Sequence, residues 1–488
     1  MRELAQRGGP YTCQEQADLL NYCQTDVDAL VKLFPAMLDG IMNPPSISPA
    51  NCDLACGQAL QRGDYTKAVA IMESRGVPID VVALTELRSR WNEVEYALIA
   101  RVDGDFGVYA GDSFNTFAFE IYLKRNGISW PRLANGKPSL DRDTFKDLSA
   151  TYPALAPLHE LRSTLSQMRD WNLAVGADKR NRCMLSAFGA KTGRNTPSGS
   201  AFIFGLATWL RSLIRPEPGM ALAYLDWEQQ EFGIAAALSG DHNMMDAYRS
   251  GDPYLAFAKQ VGAVPTHATK DSHESIRNQF KICALGIQYA MGADALALRL
   301  GTVASHGREL LSLHRRTYPD YWRWSEGCVS YAMLHGYLTA AFGWRVHVGP
   351  ETRPTTLRNF LLQANGAEML RLACILATER RLPVCCPVHD ALLVEAPADT
   401  IDIVVAETQQ AMQDASALVL PGFPLRTEAK VIRWPERFVD KRGLKMWKTV
   451  WGLVGESASS SDAALDHVRQ RDTTCPVGGY NVSHQGDT

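Results

Sequence analysis

The stretch Ala221-Leu222-Ala223-Tyr224-Leu225-Asp226-Trp227-Glu228-Gln229-Gln230-Glu231 decides how this chain is read. Pro218-Gly219 leads into its short apolar run, which predicts a buried strand. The strand ends on a carboxylate, Asp226. From Glu228 onward Phe232, Ala235 and Ala236 recur at helical spacing, so a helix follows at once. An acid ending a buried strand is costly to desolvate unless a cation or hydrogen bonds compensate it. For this site alone, a helix N-cap aspartate is the commoner explanation.

A second site shifts the balance. Val388-His389-Asp390-Ala391 has the same form, an aspartate at a turn followed by the β-rich Leu392-Leu393-Val394. Two strand-edge aspartates brought together can hold two divalent ions for an in-line phosphoryl or nucleotidyl displacement. Between the two sites, Arg277, Lys281, Leu285 and Tyr289 step by four, drifting only about 40° each time on a helix. Two cations and a tyrosine thus line one stripe, which suits a triphosphate with a base or sugar at its far end. The charges alone would suit an amphipathic surface helix equally well.

The bulk composition is that of an ordinary globular protein: 488 residues, 46% hydrophobic and 21% charged. That length exceeds one core and predicts several domains. A net charge of -3 announces no polyanion, so any nucleic acid must be met by local basic surface. The 11 cysteines form no regular framework; Cys52/Cys56 and Cys385-Cys386 are the close spacings, and no zinc set completes. Reduced thiols in a cytoplasmic protein are expected. The polar start and the charges within every long apolar run argue against a signal peptide or a membrane span.

In chain order, helix is expected over 14–38, with Tyr22 and Asp26 on one face, then a Pro/Ser linker at 44–49. Helices follow over 65–75 and 81–99. Residues 126–150 read as a loop entering another helix, and 155–173 as an amphipathic helix. Lys179, Arg180, Arg182, Lys191 and Arg194 form a basic run suited to phosphates or, equally, to solvent. A hairpin is expected over 337–348 with Gly343 in its turn. A long helix at 358–379, a hairpin at 384–394 with Asp390 at its turn, a helix at 401–417 and a strand at 425–432 follow. The Ser/Asp/Gly-rich tail after Gly455 reads as disordered.

The order strand-Asp226, Arg/Lys/Tyr helix, strand-His389-Asp390 resembles motifs A, B and C of the family A DNA polymerases, the bacterial DNA polymerase I and phage replicase group. Thr192-Gly193-Arg194 precedes the first motif, and Asn359 and Gln363 precede the third. The resemblance covers about residues 50–450. It implies an α+β right-hand architecture with a helical thumb, an antiparallel β-sheet palm and helical fingers. The expected partition is connector and thumb over 44–190, palm over 191–238 and 336–450, and fingers over 239–335, with a tail over 451–488.

What the resemblance implies for the site follows residue by residue. Asp226 and Asp390 resemble the ligands of two Mg2+ ions, with Mn2+ able to substitute and the Trp227 carbonyl assisting. Arg277 and Lys281 resemble the triphosphate clamp, with Lys281 also a proton donor to pyrophosphate. Tyr289 resembles the residue closing the base-pair pocket, Glu231 the one beneath the incoming sugar, and Gln229 a lining residue. Arg194, Asn359, Gln363 and His389 match positions contacting primer and template DNA, and Arg211 and Arg215 are further phosphate contacts. The implied partners are primer–template DNA and dNTPs, with a monomer and no membrane expected.

Four positions depart from the family pattern: Leu285 for an aromatic, Tyr254 for a phosphate-contacting His, Ala391 for the Glu after the motif C aspartate, and Ala290 for Gly. None removes an aspartate. Tyr22-Cys-Gln-Thr-Asp26 resembles the last motif of a 3′-5′ exonuclease, and residues 1–43 are expected to be a remnant of that domain. Its other carboxylates do not occur upstream in this sequence, so a truncated reading frame or a fragment of a longer or split protein is expected, leaving a separate exonuclease chain or a processivity factor open as partners. Two alternatives also stay open: a single-subunit RNA polymerase, against which Glu231 argues, and a DNA-binding remnant without catalysis.

Overall fold

The computed structural model describes residues 4, 10–42, 52–169 and 173–455. The linker at 44–49 and the tail after Gly455 lie outside the described residues. At the centre is a four-stranded antiparallel sheet of β1 (Met220–Trp227), β2 (Val384–Val388), β3 (Ala391–Pro397) and β4 (Thr427–Arg433), in the spatial order β4-β1-β3-β2. Pro218-Gly219 delivers the chain into β1, with Gly219 at φ 81°, a left-handed value that costs glycine nothing. Along β1 the residues from Ala221 to Ala223 and Leu225 are buried, as their apolar character dictates.

The helix α5 (Ile401–Val419) covers one face of the sheet, and the Trp227 indole donates to Met412 O on it at 3.2 Å. Side chains alternate faces along a strand, so Asp226 stands on the opposite face. Behind the sheet lies α4 (Pro354–Glu379), packed against α5, against the helix Cys52–Arg75 and against α1 (Gln230–Ser239). It is the one described helix apolar and long enough to cross a membrane, and 83% of that apolar window is buried inside the protein.

Helices from 242 to 335 form a second body beside the sheet, among them α2 (Pro253–Gln260) and α3 (Glu274–Gln288). A smaller core of Phe119, Trp130, Phe145, Leu155 and Leu158 organises the segment 106–158. There Tyr109–Ala110 and Ser113–Phe114 pair as a short hairpin. A helix, Arg142–Thr151, also occupies the end of the expected loop, started by Asp141, whose side chain accepts the Thr144 N–H at 2.8 Å. The helix Cys13–Met42 leaves Leu20, Val27, Leu30 and Phe34 at least half exposed.

A charge network pins these parts together. Glu368 on α4, fully buried, takes Arg62 at 2.8 Å and Arg371 at 2.7 Å, and Arg371 donates to Gly193 O at 2.6 Å. Gly193 has φ 75°, and a Cβ there would lie 2.9 Å from Trp344 and 3.1 Å from Arg371. Glycine is required at this position. Cys56, Cys183, Cys283, Cys328, Cys374, Cys385 and Cys386 are free thiols, as are Cys13 and Cys23.

Candidate active site

Asp226 is the penultimate residue of β1, directly opposite Ala391 on β3 and Glu428 on β4. Residues directly opposite across antiparallel strands share a face. Asp390 sits in the β2–β3 turn just before Ala391, after His389 at φ 55°, and its carbonyl accepts the Trp227 N–H at 3.4 Å. The turn is thereby stitched to the end of β1, beside Asp226.

The electrostatics are those of carboxylates lacking a cation. Neither Asp226 nor Asp390 ion-pairs with a described residue. Burial, then Glu428, then Asp390 push the Asp226 carboxyl up to about 7. Burial also raises Asp390, opposed in part by the Arg194 cation. Unpaired, mutually repelling carboxylates fit a divalent cation. Among the described residues no group of three or more His, Cys, Asp or Glu side chains forms a closed cage. Two carboxylates fit an ion such as Mg2+, which keeps several water or substrate oxygens in its shell.

The motif B stripe lies on α3. Arg277 and Lys281 flank the Tyr254 ring, at 5.5 and 5.8 Å from its centroid, and Arg277 Nε donates to Asp252. Leu285 is partly buried against the core. At the end of the stripe the Tyr289 hydroxyl donates to Glu231 Oε1 at 2.8 Å, and Arg194 lies 3.6 Å from the same oxygen. Gln363 on α4 lies beside the Tyr289 hydroxyl. Arg194 and His389 share the wall of a cavity of about 230 Å³ with Phe202, Phe204 and Val388. The structure therefore gathers Arg194, Glu231, Tyr289, Gln363, His389 and Asp390. Asn359, one turn before Gln363, holds a buried side-chain oxygen without a hydrogen-bond partner among the described residues.

Other expected residues sit differently. Gln229, at φ 47°, places its amide oxygen 3.4 Å from Arg426. The basic run is mostly neutralised within the protein: Lys179 by Glu217, Arg180 by Glu395 and Arg182 by Asp178. Arg211 and Arg215 are likewise bound to Asp440 and Asp80, both at 2.9 Å, so the expectation of free phosphate contacts there is corrected. Desolvated cations need close partners, and the sequence hides partners that lie up to 229 residues away. Arg194 is the member of the run that reaches the site. Tyr22 and Asp26 are exposed on the helix Cys13–Met42, outside any described three-residue metal cluster.

Sequence reasoning missed Glu428, Asp252 and Arg426. The last binds Glu228 at 3.2 Å and the Tyr248 and Gly251 carbonyls at 2.5 and 3.5 Å. Only the strand register links Glu428 to Asp226, and no local signal carries that.

Comparison with known proteins agrees with this fold. The profile of DNA polymerase family A matches residues 203–434. A DNA polymerase of Mycobacterium phage D29 is 24% identical over 364 residues, spanning 72% of this chain and 59% of that protein. DNA polymerase I of Chloroflexus aurantiacus is 25% identical over 366 residues, spanning 68% of this chain and 38% of its own length. The chain thus spans between about two fifths and three fifths of these relatives. A solved structure, the polymerase domain of Pol1 from M. smegmatis in complex with DNA primer-template and dNTP, superposes with a TM-score of 0.62. It shares 19% identity and covers 76% of this chain and 69% of its own, a likeness of fold. Fold, motif order and profile agree, and the segment 203–434 belongs to DNA polymerase family A.

Proposed function

We propose that this chain is a template-directed DNA polymerase that adds dNTPs to a primer 3′-end, in replication or repair. The observation that carries the reading is the pair Asp226 and Asp390, two carboxylates without an ion-pair partner among the described residues, at one end of an antiparallel sheet. They would hold two Mg2+ ions, with Mn2+ able to substitute; bound there, the ions supply Lewis-acid activation of a 3′-hydroxyl and neutralise triphosphate charge. Lys281 and Arg277 bind the triphosphate, and Lys281, an exposed residue, gives a proton to departing pyrophosphate.

Tyr289 and Glu231, bonded to each other, close the sugar side of the nucleotide pocket. Gln229 and Leu285 line the same pocket. Arg194, Asn359, Gln363 and His389 contact primer and template. We assign 44–190 to connector and thumb, 191–238 and 336–450 to the palm, and 239–335 to the fingers. We assign the helix Cys13–Met42, with Tyr22 and Asp26, to the end of an exonuclease-like segment. The test is primer extension with dNTPs and Mg2+, using Asp226→Asn and Asp390→Asn as controls. No extension by the unaltered chain would refute the reading, and extension with rNTPs in preference would favour the RNA polymerase alternative.

A further inference from the structure

Asp252 performs two tasks with its two carboxylate oxygens. Oδ1 accepts the Leu255 N–H at 3.1 Å and caps α2. Oδ2 accepts from Arg277 Nε. Two residues on, Tyr254 is 4% exposed, and its ring lies beside both Arg277 and Lys281. These cations stand one helical turn apart and repel each other. A carboxylate on one and an aromatic face shared by both offset that repulsion. The segment before the seat is itself anchored, since Arg426 ties the Tyr248 carbonyl, at 2.5 Å, to Glu228, two residues beyond Asp226.

How the carboxylate meets the guanidinium decides what it does. Asp178 grips Arg182 through both terminal nitrogens, at 2.8 and 2.5 Å, the fork that would otherwise take a phosphate. Asp252 takes Arg277 at Nε instead. Among the described residues the Nη1/Nη2 edge of Arg277 keeps only a marginal 3.5 Å contact, to Asn278. A residue that competed with an anion would occupy that edge. Asp252 leaves it open.

We propose that Asp252 is a positioning residue for the incoming triphosphate: holding Arg277 by Nε against the Tyr254 ring, it presents the two-nitrogen edge of Arg277, with Lys281 beside it, to the phosphates. The inference rests on the polymerase reading and adds to it the part played by a carboxylate that would repel the ligand were it not bound to Arg277. A pre-set fork loses less freedom on binding, so its benefit falls on nucleotide affinity.

The test is single-nucleotide incorporation by the full chain. Asp252→Asn keeps the capping oxygen and removes the charge, and Asp252→Ser is a second variant that still caps. Each is expected to raise KM for dNTP about tenfold, the order of a lost charge-assisted bond, with kcat changed by less than about twofold. On an Arg277→Ala background the same substitutions are expected to change KM little, because the partner is already gone. Tyr254→Phe, which keeps the ring face, should leave KM near the unaltered value, while Tyr254→Leu should raise it.

A lowered KM in Asp252→Asn would show a carboxylate that merely repels triphosphate, and would overturn the inference. So would an unchanged KM, or an undiminished effect on the Arg277→Ala background. Failure of the unaltered chain to extend any primer would instead bring down the polymerase reading, and this inference with it.

Discussion

Asp226 and Glu428 stand directly opposite each other on neighbouring strands, two carboxylates on the open face of the sheet, while the other neighbour of Asp226 across the ladder is Ala391. Their repulsion adds to burial in raising Asp226, and it makes the metal-free protein sensitive to pH.

Asp226 titrates near 7 in the folded chain and near the ordinary 3.8 when unfolded. Between those values the folded state keeps a proton that the unfolded state has lost. Stability from this group is therefore complete below about pH 4 and declines as pH rises through 7. In EDTA, Asp226→Asn is expected to melt higher than the unaltered protein at pH 8, with the gap closing towards pH 4. A gap independent of pH would refute the raised value. Mg2+ should bind more tightly as pH rises to about 7, releasing a proton.

Removal of either aspartate should lower primer extension by roughly 10²-fold or more, the order lost with one preorganised charge-stabilising group. Primer–template binding, measured by fluorescence anisotropy, should hold within a few-fold in Asp226→Asn and Asp390→Asn. Substantial turnover in either would remove that residue from the proposed metal site.

Glu231 is held by Tyr289 and faced by Arg194, so its carboxylate occupies a fixed place at the sugar side of the proposed pocket. Glu231→Ala should open space for a 2′-hydroxyl. The ratio of kcat/KM for rNTP over dNTP is expected to rise at least about tenfold, about 1.4 kcal/mol. An unchanged ratio would leave Glu231 a simple helix-start acid.

Glu368→Gln leaves Arg371, 1% exposed, without its counter-charge. Breaking a buried pair in this way destabilises by about 3–5 kcal/mol. The double variant Glu368→Met with Arg371→Met should recover much of that, and chemical denaturation of the three proteins tests it.

The helix bearing Tyr22 and Asp26 gathers no further acids into a described metal cluster. No 3′-5′ degradation of single-stranded DNA by this chain is expected. Degradation abolished by Asp26→Ala would show otherwise.

The central sheet and its two aspartates were legible because their signals are local: an apolar run, a turn, an acid. The stripe from Arg277 to Tyr289 was legible through helical periodicity. Glu428 was not, since only the pairing of β4 with β1 brings it to Asp226. Asp252 was not either, since its role needs Arg277, 25 residues on. Arg211 and Arg215 misled because a guanidinium in sequence shows its charge and not its partner.

The Arg62–Glu368–Arg371 network has a consequence for how binding responds to ionic strength. Arg371 and Glu368 are shut off from solvent, so mobile ions do not screen the contact that pins the Gly193 carbonyl next to Arg194. Adding salt should leave the scaffold around Arg194 intact while weakening contacts to phosphates in solution. The slope of DNA affinity against salt concentration then counts phosphates neutralised on binding, free of any loosening of the protein.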